Sequence, residues 1–307
     1  MTDGAWTEAG GVDLPRFQVG APPQHLITTL LGDYWISRSE QLPSAALVRL
    51  AEEFGVSAVA ARAALSRLAR RDLLESSKVG RRTYYRLTDR AAAVLLDGRQ
   101  RIMSFGLEQG AWDGTWVLAA FSISEEQRDL RHALRSRLRW LGFAPLYDGL
   151  WVSPRADADD AAAVLRELDV PTATIFRAQA LDLAGMRAPQ EAWDFGRLRR
   201  TYEGFVAQYS PLLTRVRNGT VGASEALVAR TGIMDTWRTF PNHDPDLPAE
   251  LLPDGWPRGA ARDVFVEIYD TLGALAEFRV KQIVAEFDPG LAELVAHHRT
   301  SLILSPR

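Results

Sequence analysis

Arg62, Arg67, Arg70, Arg71, Lys78, Arg81, Arg82 and Arg86 all lie in the segment SAVAARAALSRLARRDLLESSKVGRRTYYRLT, which runs from Ser57 to Thr88. Cations at this density suit phosphate. Between residues 60 and 90, nine Lys/Arg face three Asp/Glu, in a chain whose formal net charge is -3. The rest of the chain is therefore acidic, so a polyanion can be held at one place while the body stays off it.

Spacing converts these charges into an interface. On a helical wheel Ala61, Ala64, Leu65 and Leu68 share one face, which must be core. The opposite face carries Val59, Ala63, Ser66 and Arg70, with Arg62 and Arg67 at its margins. Small residues in the middle let such a helix sit deep in a groove, with arginines at the flanks for phosphate or a guanine edge. The expected roles are base reading by Val59, Ser66 and Arg70 and phosphate contact by Arg62 and Arg67. Ser57 caps the helix. Lys78, Arg81 and Arg82 form a basic hairpin tip that grips phosphates, with Thr83 and Tyr84 beside it.

Elements around this segment must position it. His25 to Trp35 has helical apolar spacing. A second helix starts at Pro43 and stops at Gly55, as a Gly at C′ commonly makes it do. The turn GVS leads into the third helix. Leu73-Leu74 and Tyr84 to Leu87 are short strands flanking a turn at Lys78 to Arg82, and a helix from Asp89 to about Phe105 leads out. Helix, tight turn, helix and basic hairpin in this order predict a winged helix-turn-helix over 23–105, with its third helix in the major groove of duplex DNA.

Two further regions follow, giving an α+β multidomain chain. Over 111–184 the order is strand (Trp116 to Ser122), helix (Glu125 to Leu141), two strands within Phe143 to Val152 around an Asp148-Gly149 turn, helix (Ala156 to Leu168) and strand (Thr172 to Gln179). That order is ferredoxin-like. Region 190–307 is helical, over Leu198 to Leu213, Ala223 to Phe240 and Arg258 to Phe287. Its connector PNHDPDLPAELLPDGWP is too rich in proline for regular structure. Residues 1–22 have no apolar core and read as a flexible tail, not a signal peptide.

Much chemistry is excluded. With no cysteine there is no disulfide, no Cys-ligated zinc and no thiol nucleophile, which suits a cytoplasmic protein. No apolar run approaches the roughly 18 residues of a membrane span. None of the five histidines sits in HExxH, and no GxSxG, P-loop or Rossmann fingerprint occurs. Asn242, His243 and Asp244 read as turn residues, so no metal site is expected. Asp157, Asp159 and Asp160 open a helix, where acids favour the dipole. Most of the nine tryptophans should be core, leaving Trp116, Trp151 and Trp237 as candidate walls of a pocket for an aromatic or acyl ligand. The run Arg128, Arg131, Arg135, Arg137 and Arg139 is first a solvated helix surface pairing with Glu125, Glu126 and Asp129. An anionic effector tail or a second DNA contact is its sharper reading.

Beyond composition and spacing, LLGDYW, VSAVAARAALSRLARRDLL and VGRRTYYRLT resemble the PaaX family of bacterial repressors. WDGTWVLAAFSI, GFAPLYDGLWVSP and DPDLPAELLPDGWPRGAAR extend that resemblance over nearly the whole chain after the tail. It implies a homodimeric regulator of aromatic catabolism with a winged helix-turn-helix, a ferredoxin-like middle and a helical C-terminal domain. It further implies an effector of the phenylacetyl-coenzyme A type. Where members often carry His, then an aromatic, then Arg before the connector, this chain has Asp235, Thr236, Trp237 and Arg238. Asp in the His position points to a changed effector. Trp116, Trp151, Asp235, Trp237, Arg238 and His243 are the candidate effector residues.

The expected function is a non-enzymatic, ligand-responsive repressor, a homodimer on a pseudo-palindromic operator. It has no cofactor beyond a coenzyme A thioester or aromatic effector, and no membrane partner. The alternatives are a metal-dependent nucleic-acid-processing enzyme and a DNA-bound scaffold without an effector.

Overall fold

A computed structural model describes residues 23–36, 38–107, 110–181, 185 and 187–303. The expected tail at 1–22 lies outside the described residues.

The first stretch contains α1 (Pro23–Tyr34), β1 (Leu42–Pro43), α2 (Ser44–Glu52), α3 (Ala58–Arg70), β2 (Leu74–Val79), β3 (Arg82–Leu87) and α4 (Asp89–Ser104). The middle contains β4 (Thr115–Phe121), α5 (Arg128–Trp140), β5 (Ala144–Tyr147), β6 (Leu150–Ser153), α6 (Ala158–Glu167) and β7 (Ala173–Gln179). After β7 the described residues hold no strand. They form α7 (Phe195–Arg217), α8 (Ala223–Trp237), α9 (Arg258–Thr271), α10 (Gly273–Ala285) and the short α11 (Pro289–Ala292) and α12 (Thr300–Ile303). No helix among the described residues is long and apolar enough to cross a membrane.

These elements form two compact units. One holds the residues up to Ser104, Tyr209–Trp237 and the residues from Asp263; the other holds Phe105–Gln208 and Arg238–Arg262. Residues beyond 190 contribute to both units. The reason lies in the first unit's core. Leu26, Ile27, Leu30 and Leu31 of α1 and Leu65 and Leu68 of α3 belong to the same buried cluster as Leu227 of α8 and Val280, Ile283 and Val284 of α10. Apolar helical periodicity says that a face is buried, not which distant element covers it.

In the second unit the strands are antiparallel in the order β5-β6-β4-β7, as the strand-helix-strand-strand-helix-strand reading requires. Val117, Ala119 and Trp151 face α5 and α6, packing on Leu134, Leu138, Val164 and Leu165. The other sheet face carries Trp116 and Val152, with Trp112, Leu118 and Trp193. Asp157 caps α6, its carboxylate accepting the Asp159 N–H at 2.7 Å, so the acidic group there has a local structural role.

Two element readings change. The helix expected over Arg258 to Phe287 is α9 and α10, broken at Leu272. At Gly273 an added Cβ would lie 2.4 Å from Cδ2 of His297, so the missing side chain lets the imidazole approach the backbone. The strands expected at Leu73-Leu74 and Tyr84 to Leu87 also grow into six-residue strands. Most of β2 is polar and exposed, and is held by its ladder to β3 instead of by burial. Hydrophobic alternation cannot register such a strand.

Candidate nucleic-acid interface

The third helix is built as a presented surface. Gly55, at φ +74°, turns the chain after α2. Ser57 then caps α3, its Oγ accepting the Ala60 N–H at 3.3 Å. Ala61, Ala64, Leu65 and Leu68 are fully buried, and α3 packs on α1 and α2. The opposite face is open: Ser57, Val59, Arg62, Ser66 and Arg70 are exposed and Arg67 is half-buried. Val59 is 76 % exposed. A valine so open takes no part in the packed face of α3.

Beyond α3 the chain turns through Asp72, at φ +56°, into the β2–β3 hairpin. Val79 pairs with Arg82, leaving Gly80 and Arg81 as a two-residue loop. Only Gly80 has a positive φ, +62°, the pattern of a II′ turn, which matches strand twist. Lys78 and Thr83 form one cross-strand pair, Ser77 and Tyr84 the next, so cations and hydroxyls line the hairpin to its tip. Lys78, Arg81 and Arg82 are exposed, with Thr83 and Tyr84 half-buried.

Electrostatics separates the basic residues into two classes. Arg86 is neutralised by Glu75 across the hairpin at 2.7 Å and by Asp89 at 3.0 Å, so it is structural. Among the described residues no carboxylate pairs with Arg62, Arg67, Arg70, Lys78, Arg81 or Arg82. An open row of unpaired cations beside a small-residue helix face has the charge and shape that phosphates favour.

The expected effector residues are divided between the two units. Trp116 and Trp151 lie on opposite faces of the second unit's sheet. Trp237 is 1 % exposed, stacked on Phe265 at 4.9 Å, with its indole N–H donating to the Ile102 carbonyl at 3.2 Å; it is core of the first unit. Asp235 meets Nε2 of His25 at 3.1 Å in that unit. Arg238 and His243 belong to the second unit. There the His243 ring donates to the Thr239 carbonyl at 2.9 Å, a turn contact. Asp244 and Asp246 of the DPDLP stretch serve the connector: Tyr202 donates its hydroxyl to buried Asp244, and Arg258 lies 2.9 Å from Asp246. Burial and the Asp244 charge hold the Tyr202 hydroxyl far above the usual phenol range. The described residues contain no group of three or more His, Asp or Glu placed to hold a metal ion.

Sequence reasoning missed the residues that seat α1, on which α3 rests. Arg230 of α8 is wholly buried and donates to the Tyr34 hydroxyl at 3.1 Å, the Tyr269 carbonyl at 3.1 Å and the His298 carbonyl at 2.8 Å. Asp33 lies 3.5 Å away and accepts from the Tyr269 hydroxyl at 3.2 Å. Burial raises the Asp33 carboxyl above its ordinary pKa, against the opposing pull of Arg230. Glu53, at the end of α2, accepts from Arg279 at 2.8 and 2.9 Å and from Ser224 at 2.6 Å, contacts that hold it down at a pKa of about 2. The visible signal was an arginine inside the apolar run ALVARTGIM, but nothing local names its partners.

Comparison with known proteins agrees along the chain. Residues 23–91 match the family described as PaaX-like protein, residues 109–192 the PaaX protein central Cas2-like domain, and residues 193–282 the PaaX-like protein C-terminal domain. Transcriptional repressor PaaX of Escherichia coli (strain K12) is 30 % identical over 259 residues, covering 82 % of this chain and 80 % of that protein. The solved structure of uncharacterized protein Rv0674 from Mycobacterium tuberculosis has a similar fold, with a TM-score of 0.58 at 22 % identity, over 86 % of this chain and 99 % of that one. Three consecutive matches and a relative similar over most of both lengths lead to one conclusion: this chain belongs to the PaaX family.

Proposed function

We propose that this chain is a ligand-responsive, homodimeric transcriptional repressor whose first-unit helices and hairpin act as a winged helix-turn-helix on operator DNA. Its similarity to a transcriptional repressor makes it a DNA-binding regulator and not an enzyme. The observation that carries the site reading is the set of unpaired cations on α3 and the hairpin, arranged around Val59 and Ser66. Val59, Ser66 and Arg70 face base edges; Arg62, Arg67, Lys78, Arg81 and Arg82 face phosphates, with Ser57, Thr83 and Tyr84 beside them. Two copies present two such helices to half-sites about one DNA turn, or a multiple of it, apart.

The effector proposed is a small organic acid or a coenzyme A thioester, and the regulated genes belong to aromatic or acyl-coenzyme A catabolism. The support is the family resemblance, with Asp235 as the reason to expect a ligand other than the usual one. A ligand releases DNA only through unequal affinity for the bound and free states. Release of the duplex lying upstream of its own gene, screened over aromatic acids and acyl-coenzyme A thioesters, tests this reading. Release by one compound class supports it. Retention of duplex with no release by any compound favours an effector-less DNA-bound scaffold.

A further inference from the structure

Within the second unit the C-terminal half of α5 faces the β5–β6 hairpin across a cleft of about 350 Å³, lined by Arg135, Arg139, Pro145, Tyr147, Trp151 and Arg187 among others. That volume falls within the range of small-ligand sites. Three guanidiniums converge on it against one carboxylate, Asp148. The arginine run on α5 is not uniformly a solvated surface: Arg137 pairs with Glu167, and Arg131 donates to the Ile123 carbonyl at 2.8 Å. The arginines aimed at the cleft are used differently. Arg139 has no carboxylate partner and lies over the Trp151 ring at 5.2 Å. Arg187 donates to the backbone carbonyls of Leu146 at 2.8 Å and Glu191 at 2.9 Å, which fixes its position and leaves its charge uncompensated. Arg135 meets Asp148 at 2.9 Å, but that acid's side chain is 96 % exposed and the pair is weak in water. Its Nε is buried with no hydrogen-bond partner. Cations gathered on one cleft with little carboxylate to offset them favour an anion there.

We propose that this cleft binds a small organic phosphate, whose anionic group is held by Arg135, Arg139 and Arg187 while its apolar part lies on Pro145 and Tyr147. Planar guanidiniums match phosphate oxygens in two-point contacts, and the exposed apolar surface of Pro145 and Tyr147 beside them suits a compact ligand better than a duplex backbone. This inference rests on the repressor reading only for its regulatory consequence, since it assigns the effector's anionic group to this cleft. The test is calorimetric titration of the full chain with phenyl phosphate, inorganic phosphate and phenol. Phenyl phosphate is expected to saturate one site per chain more tightly than inorganic phosphate, and phenol to give no signal. Arg139→Gln should weaken phenyl phosphate about tenfold, the loss of one charge-assisted contact. Arg139→Lys should fall between, and Arg128→Gln, an equal charge loss on the same helix outside the cleft, should change nothing. Among the described residues the Arg139 side chain makes no hydrogen bond, and unchanged melting of its variants checks that the fold is intact. Absence of saturable binding up to about millimolar concentration overturns the proposal. So does equal weakening by Arg128→Gln, or competition by duplex DNA together with lost duplex affinity in Arg139→Gln, which makes the cleft a DNA contact. Duplex retention is measured separately. Retained duplex without phenyl phosphate binding removes the cleft and leaves the repressor; the reverse result removes the repressor and leaves the cleft.

Discussion

The Arg230 guanidinium lies 3.7 Å from the centre of the Tyr269 ring, and both residues are wholly out of water. Around this contact Tyr34, Asp33 and the His298 carbonyl complete a buried polar network that joins α1 to α8 and α9. A half-dismantled network of this kind is worse than none. Arg230→Met, which takes from buried Asp33 the cation that acts on it most strongly, should cost about 3–5 kcal/mol in denaturant unfolding. Asp33→Asn in the same chain should recover part of that loss. Additive losses in the two variants would mean that the residues do not act as a pair.

His298 gives the network a pH dependence. Burial above all, and then the Arg99 and Arg230 charges, lowers its pKa from 6.5 to about 4. Between those values the unfolded chain binds the proton and the folded chain does not, so stability rises with pH. The contribution is complete above pH 6.5 and is lost as pH falls toward 4. Melting curves from pH 7 to pH 4 should fall more steeply for the native chain than for His298→Gln, which keeps the backbone carbonyl that Arg230 uses. Parallel curves contradict this.

Gly273 offers a steric test of the α9–α10 break. The His297 ring that abuts it is tied to Glu277, with Nδ1 2.6 Å from the carboxylate, and cannot swing aside without losing that bond. Gly273→Ala should therefore destabilise by about 1–3 kcal/mol, despite the better helix propensity of alanine. A melting temperature equal to or above the native one would show that the ring relaxes freely.

On the exposed face of α3, Val59→Ala and Ser66→Ala remove groups proposed to meet bases and remove no charge. Each should change the ranking of operator variants by about 1–3 kcal/mol at one base position, with the salt dependence of binding unaltered. A uniform loss over all duplexes would place these residues off the base edges.

The succession of α2, a tight turn and α3 was legible because its signals are local. Gly55, the Ser57 cap and the spacing of Ala61, Ala64, Leu65 and Leu68 are each decided within a few residues. Strand order in the second unit was legible for a related reason, since short apolar strands alternate with amphipathic helices. What stayed hidden depends on remote partners. Arg230 reads as any helical arginine until Asp33, Tyr34 and Tyr269 surround it, and Trp237 reads as a pocket wall until Phe265 stacks on it. Arg86 and Arg82 look alike in sequence; the register that sets Glu75 opposite Arg86 separates a structural cation from a free one.

The interface itself is tested most directly by titrating duplex DNA with the full chain at several salt concentrations, native against Arg81→Gln/Arg82→Gln. Removing two phosphate contacts should weaken operator and random duplex alike and reduce the slope of log affinity on log salt by about two. An unaltered affinity and slope would place the hairpin away from DNA and contradict the account.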